Sequence, residues 1–119
     1  MTVLLVAVGG AAGTLARYGL GKVVATDALP WLTVAINMTG SFLLGFLIAV
    51  GDWFSAEVRT ALAIGVLGGF TTFSTFSADV FLDIDTGAPG EALAIVAASV
   101  AGGVAAAACG YFLGRAIAH

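Results

Sequence analysis

The stretch Gly68-Gly69-Phe70-Thr71-Thr72-Phe73-Ser74-Thr75-Phe76-Ser77 lies inside an otherwise apolar run that extends from Ala61 to Leu82. Five hydroxyl side chains fall between Thr71 and Ser77, directly after a pair of glycines. In hydrocarbon every backbone N–H and C=O must find a partner, so irregular backbone persists only where protein or a wet cavity surrounds it. Each glycine costs a helix about 1 kcal/mol of propensity relative to alanine. The segment is therefore expected to interrupt a helix, at the glycine pair, and to bind something there.

The remainder of the chain reads as membrane-spanning. Of its 119 residues, 61% are hydrophobic and 9% are charged, against about 25% charged in a soluble domain, and the mean hydropathy is +1.12. A crossing takes about 20 apolar residues, and four runs of that length are present, at about 2–25, 30–51, 59–82 and 91–116. Between them sit Asp27 with Pro30, Asp52 with Glu57, and Asp83, Asp85, Pro89 and Glu91 around Gly87. The expectation is an all-α membrane protein, multi-pass in the cell membrane, with residues 1–119 forming a single four-helix transmembrane domain.

The first run is too long for a signal peptide, and its basic residues Arg17 and Lys22 come late, so it is expected to remain as a helix. Cys109 is the single cysteine, which excludes an intrachain disulfide and points to a packing role. The net charge of −3 comes from acids in the loops and argues against a nucleic-acid partner. His119 is terminal and reads as a solvated end; with no nucleophile–base pair in view, the chain does not read as an enzyme.

Orientation follows Lys and Arg near helix ends. Four spans put Arg59 and Arg115 on one side and Lys22 on the other, joined there by Arg17 if it reaches that interface, which makes the division even. A chain without a positive-inside bias is expected to insert both ways, which permits an antiparallel dimer. The spacing Gly-x-x-x-Gly at Gly9 and Gly13, Gly65 and Gly69, and Gly110 and Gly114 favours close helix contact, and with it a self-associating bundle.

Within the spans, residues three apart share adjacent parts of a helix face. Phe70, Phe73 and Phe76 make one row, Thr71, Ser74 and Ser77 a second, and Thr72 and Thr75 a third. In the second span Asn37 carries two N–H donors and a carbonyl acceptor, costly in lipid unless they meet a partner or water. Thr33 lies four residues before it, on the same face. Ser99 stands in the middle of the fourth span, where a hydroxyl ordinarily bonds its own helix. No acid occupies the centre of a span, whereas proton-coupled export requires one. Uncharged donors without acids suit a passive anion path.

Three segments carry a family resemblance: Gly9-Gly10-Ala11-Ala12-Gly13-Thr14-Leu15-Ala16-Arg17-Tyr18, Asn37-Met38-Thr39-Gly40-Ser41-Phe42-Leu43-Leu44-Gly45, and the stretch from Gly68 to Phe76. Together they resemble the signatures of the CrcB-type, or Fluc, fluoride channels, and length and span count agree with that family over the whole chain. The fourth span departs from the family's usual pattern, with Ile95 and Gly103 flanking Ser99 and Tyr111 coming late.

The resemblance implies a fluoride-specific channel that lets fluoride leave passively and so lowers its cytoplasmic toxicity. It implies an antiparallel, dual-topology dimer of this chain with a second copy or a sister subunit, embedded in membrane lipid. It further implies a structural, untransported Na+ on the carbonyls of Gly68 and Thr71 in a broken third helix. Asn37, Phe73 and Phe76 are then expected to line the fluoride path, with Thr33, Ser74, Thr75 and Ser99 as a hydroxyl track. Aromatic ring edges are electropositive and meet an anion without a fixed charge.

Two other readings compete. A dual-topology small multidrug exporter shares the length and charge balance but needs an acid in the first helix, which is missing here. A non-transporting membrane assembly subunit would need only the glycine spacings, and leaves Asn37 and the Phe/Ser/Thr pattern without use.

Overall fold

A computed structural model describes residues 1–118; His119, expected to be a solvated end, lies outside the described residues. Four helical stretches are long and apolar enough to cross a membrane, Thr2–Val23, Thr26–Ala49, Ala56–Asp85 and Pro89–Ala118. The chain is a multi-pass, all-helical membrane protein. The first stretch is α1 (Thr2–Val23), and α2 (Leu29–Ala49) follows a single 3-10 turn. The third crossing is composite, running through α3 (Ala56–Thr60), a π-helical segment Ala61–Leu67, the one-turn α4 (Gly68–Phe70) and α5 (Phe73–Asp85). The last helix is α6 (Pro89–Ala118).

Local chemistry sets the ends of these elements. Pro30 occupies the first turn of α2, where a missing N–H leaves no helical bond unmade. Ser55 Oγ accepts from the Val58 N–H at 3.3 Å and starts α3. Gly87 adopts φ +86°, a left-handed conformation that ends α5, and Pro89 opens α6 two residues later.

The helices pair in an interleaved order. α1 lies along the first half of the third crossing, α2 lies along α6, and α5 leans on α6. Glycines make both long seams. A Cβ on Gly13 would strike the Val66 carbonyl, one on Gly65 would come within 2.8 Å of Val6 O, and one on Gly110 would strike Phe42 O. All three Gly-x-x-x-Gly spacings are thus occupied by contacts inside one chain, so they carry no argument for association between copies.

The interior that remains is small. Val34, Phe76 and Ile95 are buried together, with Met38, Val80 and Val96 packed against them. Many large apolar side chains, such as Leu15, Leu93 and Val104, stay exposed on the single chain, as lipid-facing residues do. Cys109 also lies on the exposed surface of α6, so it does not pack within the chain.

Candidate functional site

The third crossing departs from helical geometry at two residues. Thr71 has φ −86° and ψ 158°, and Thr72 has φ −151° and ψ 121°, both extended. The glycine pair itself is helical, in α4, so the departure lies beyond the glycines and not at them. Gly69 is small for another reason: a Cβ there would sit 2.6 Å from Gly10 O on α1. The glycines bring α1 close, and the threonines carry the irregular backbone.

Backbone accounting explains how two extended residues survive in a membrane. A continuous helix would bring the Thr72 and Thr75 amides to the carbonyls of Gly68 and Thr71. Here the Thr72 N–H donates to Asn37 Oδ1 at 2.9 Å, and the Thr75 N–H donates to Thr72 Oγ1 at 3.3 Å. The Gly68 and Thr71 carbonyls are thereby left without their helical donors. The intervening Gly69 carbonyl is served from α1, accepting from Arg17 Nε at 3.3 Å and Thr14 Oγ1 at 3.5 Å. Arg17 is therefore a carbonyl-binding residue of the fold.

Asn37 answers Thr72 twice. Besides receiving the Thr72 N–H, its Nδ2 donates to the Thr72 carbonyl at 2.9 Å, so the side-chain amide pairs with the backbone as a neighbouring strand would. One amide hydrogen of Nδ2 remains for another acceptor.

Two grooves meet at Thr72. The first, of about 290 Å³, is lined by Asn37, Gly40, Ser41, Thr71, Thr72, Phe73, Phe76 and Ser99 among others. The second, of about 200 Å³, is lined by Arg17, Thr33, Thr72, Thr75 and Asp79 with apolar neighbours. The expected path residues are thus divided. Asn37, Phe73, Phe76 and Ser99 share the first groove, Thr33 and Thr75 face the second, and Ser74 lines neither.

The hydroxyls differ in what they have left to offer. Thr33 is buried, and its Oγ1 donates to Leu29 O at 3.2 Å, one turn back in its own helix. Ser74 Oγ lies 3.4 Å from Thr72 Oγ1, which also contacts Thr75 Oγ1 at 3.3 Å, so these three form a cluster at the start of α5. Ser99 Oγ is buried and has no hydrogen-bond partner, contrary to the expectation that it bonds its own helix. A buried hydroxyl without a partner costs about 1–3 kcal/mol, and the residue that carries this one lines the first groove.

The rings are set close together. Phe73 and Phe76 lie 5.6 Å apart between centroids at 59°. Phe76 is 9% exposed and Phe73 is 78% exposed, so one ring is fixed in the core while the other stands at the surface of the single chain.

Two residues of the site are not among the expected path residues. Ser41 lies one helical turn beyond Asn37 on the groove side, a spacing that could have identified it. Thr72 was visible only as one hydroxyl among five. Its importance lies in its backbone, which no side-chain pattern marks.

Comparison with known proteins identifies the family. The family model described as "CrcB-like protein, Camphor Resistance (CrcB)" matches residues 4–111. A Rhodospirillum centenum protein named fluoride-specific ion channel FluC is 52% identical over 104 residues, covering 82% of each chain. A protein of the same name from Chelativorans sp. is 46% identical, covering 96% of each chain, and one from Thermus thermophilus is 44% identical, covering 96% of this chain and 95% of its own. With a family match over residues 4–111 and relatives 44–52% identical over most of its length, the chain belongs to the CrcB family.

Proposed function

We propose that this chain forms a fluoride-specific channel and that the first groove is part of its conduction path. Relatives covering nearly the whole chain carry that name. The single observation that carries the site assignment is the convergence of Asn37, Ser99 and two phenylalanine rings on one groove beside the extended residues. The lining holds no charged residue. Fluoride surrenders a strong hydration shell, so a path must return hydrogen bonds without holding the ion too tightly. The unpartnered Ser99 hydroxyl, the second Asn37 amide hydrogen and the electropositive ring edges are donors of that kind. Transport on this reading is passive efflux, which lowers cytoplasmic fluoride.

The working unit is an antiparallel dimer with a second copy or a sister subunit. Its support is the near-even division of Arg and Lys at the helix ends, Arg59 and Arg115 against Lys22, and the outward position of Gly68 and Phe73 on the single chain. A structural Na+ at the dimer axis fits the donors available. Gly68 and Thr71 offer carbonyl oxygens without their helical amides, and hard alkali cations prefer neutral or anionic oxygen. Among the described residues no group of three or more His, Cys, Asp or Glu side chains is placed to hold a metal. When bound, the ion would supply a fixed positive charge joining two copies at this turn; it is not transported.

The multidrug-exporter reading has no support in α1, which contains no acid, and the assembly-subunit reading leaves the groove without a role. Proteoliposomes loaded with potassium fluoride or potassium chloride and made permeable to potassium test the proposal directly. Rapid fluoride release with retained chloride is expected; equal release of both anions would reject it.

A further inference from the structure

We infer that Asn37 is the positioning residue of the interrupted crossing: its side-chain amide holds the two peptide groups that flank Thr72 and so keeps the Gly68 carbonyl free for a cation. The inference rests on the channel reading for its link to sodium and fluoride, but the clamp itself rests on geometry alone. Asn37 Oδ1 takes the Thr72 N–H and Asn37 Nδ2 gives a hydrogen to the Thr72 carbonyl, both at 2.9 Å. The two bonds engage the peptide groups on either side of Thr72, so they fix that residue's backbone in orientation as well as position. A single bond would leave it free to turn.

The alternative partner for the Thr72 N–H defines what the clamp prevents. Were Thr71 to return to helical ψ, that amide would reach the Gly68 carbonyl, and with Thr72 also helical the crossing would close into a continuous helix. Both ends of that bond are satisfied in a helix, and in hydrocarbon an unpaired amide is costly. The extended state competes only because Asn37 supplies equivalent bonds from α2. Arg17 and Thr14 serve the Gly69 carbonyl from α1 but do not touch the Thr72 peptide, so they do not replace Asn37. Gly40, one turn along α2, leaves space for Thr71, since a Cβ there would strike the Thr71 methyl. Helix α2 therefore both makes room for the interruption and fastens it.

This assignment makes Asn37 a link between two ions, since it lines the first groove and secures the backbone whose carbonyls would hold the cation. A residue that only donates to fluoride would alter flux alone. A positioning residue also alters the Thr72 amide and the response to sodium.

The test uses the full-length protein in detergent and in liposomes, comparing Asn37→Ala, Asn37→Asp and Phe76→Ile. Hydrogen exchange at the Thr72 amide is read by NMR, and fluoride efflux is titrated with sodium against N-methylglucamine. For Asn37→Ala, exchange at Thr72 is expected to change and half-maximal sodium to rise by about tenfold or more, as the loss of bonds to a buried peptide implies. Asn37→Asp, as a carboxylate, keeps the acceptor and loses the donor. It is expected to keep Thr72 exchange near the wild-type rate while still raising the sodium requirement, and it provides the measurement if the alanine variant does not assemble. Phe76→Ile is expected to slow flux to a measurable remainder, with unchanged exchange and an unchanged half-maximal sodium concentration.

Wild-type exchange and sodium response in Asn37→Ala, with flux alone reduced, would overturn the inference. So would a Phe76→Ile variant that shifts the sodium response as much as the Asn37 variants do. If wild-type liposomes leak fluoride and chloride equally while Thr72 exchange still depends on Asn37, the channel reading fails and the clamp stands.

Discussion

If the proposed sodium site lies at the Thr71 turn, substituting Gly40 by alanine separates cation binding there from overall stability. In a helix interior alanine is favoured over glycine by about 1 kcal/mol, so on propensity alone Gly40→Ala would stabilise α2. The added methyl, however, would occupy the space of Thr71 Cγ2. Thr71 cannot simply rotate away without loss, because its Oγ1 donates to Leu67 O at 2.9 Å. Either that bond is given up or the Thr71 backbone moves, carrying its carbonyl with it. Overpacking of this kind costs about 1–3 kcal/mol. If the turn bears that whole strain, sodium affinity falls by about 5- to 150-fold.

Gly102 provides the control. A Cβ there would meet Met38 Cε and Sδ at 3.1 Å, the flexible end of a long side chain that can shift. Gly102→Ala is therefore expected to be neutral or mildly stabilising. The assay is fluoride-electrode recording of efflux from proteoliposomes across a sodium series, with thermal unfolding in detergent measured alongside. Gly40→Ala should need more sodium at nearly unchanged melting temperature. A Gly40→Ala sodium curve lying on the wild-type curve, or one matched by Gly102→Ala, refutes the reasoning.

Other outcomes follow from the same coordinates. Ser99→Ala removes a buried hydroxyl that has no partner, so it should hold or raise stability by about 1 kcal/mol while slowing fluoride efflux; a loss of stability larger than that would reveal a bond at Oγ. Gly110→Ala forces a methyl against the Phe42 carbonyl backbone and should lower stability by about 1–3 kcal/mol, read as earlier thermal unfolding. Phe76→Ile should impair efflux while the dimer still assembles, as judged by cross-linking and size-exclusion chromatography. In a Cys109→Ala background, a cysteine placed at Thr26 should be labelled from outside intact cells in about half of the molecules; complete labelling or none would remove dual insertion.

The four crossings were legible because hydropathy over about 20 residues is a property of composition. The glycine spacings announced close approach but not the partner, since a small residue shows where another backbone fits and not which one arrives. Gly9 and Gly13 were thus read toward a second copy, whereas they meet the Ala61–Val66 region of the same chain. The π-helical segment there left no trace in periodicity. Asn37 was recognisable from the cost of an amide in lipid, yet its bonds to Thr72 depend on the crossing being unwound, a tertiary circumstance. Thr33 was chosen from its spacing to Asn37, but its hydroxyl is committed to Leu29. Ser41, equally spaced on the other side, faces the groove instead.

The interleaved pairing of helices bears on how the protein is made. During synthesis α1 and α2 enter the bilayer first, yet they make few contacts with each other, and each seats its glycines against a later arrival. The nascent hairpin of two crossings has no tertiary reason to stay together, and the α1 seam closes only when the third crossing is threaded. Nothing in the assembled bundle can therefore guide the first insertion; the direction of entry is decided by a loose pair of rods before any packing exists to favour one outcome.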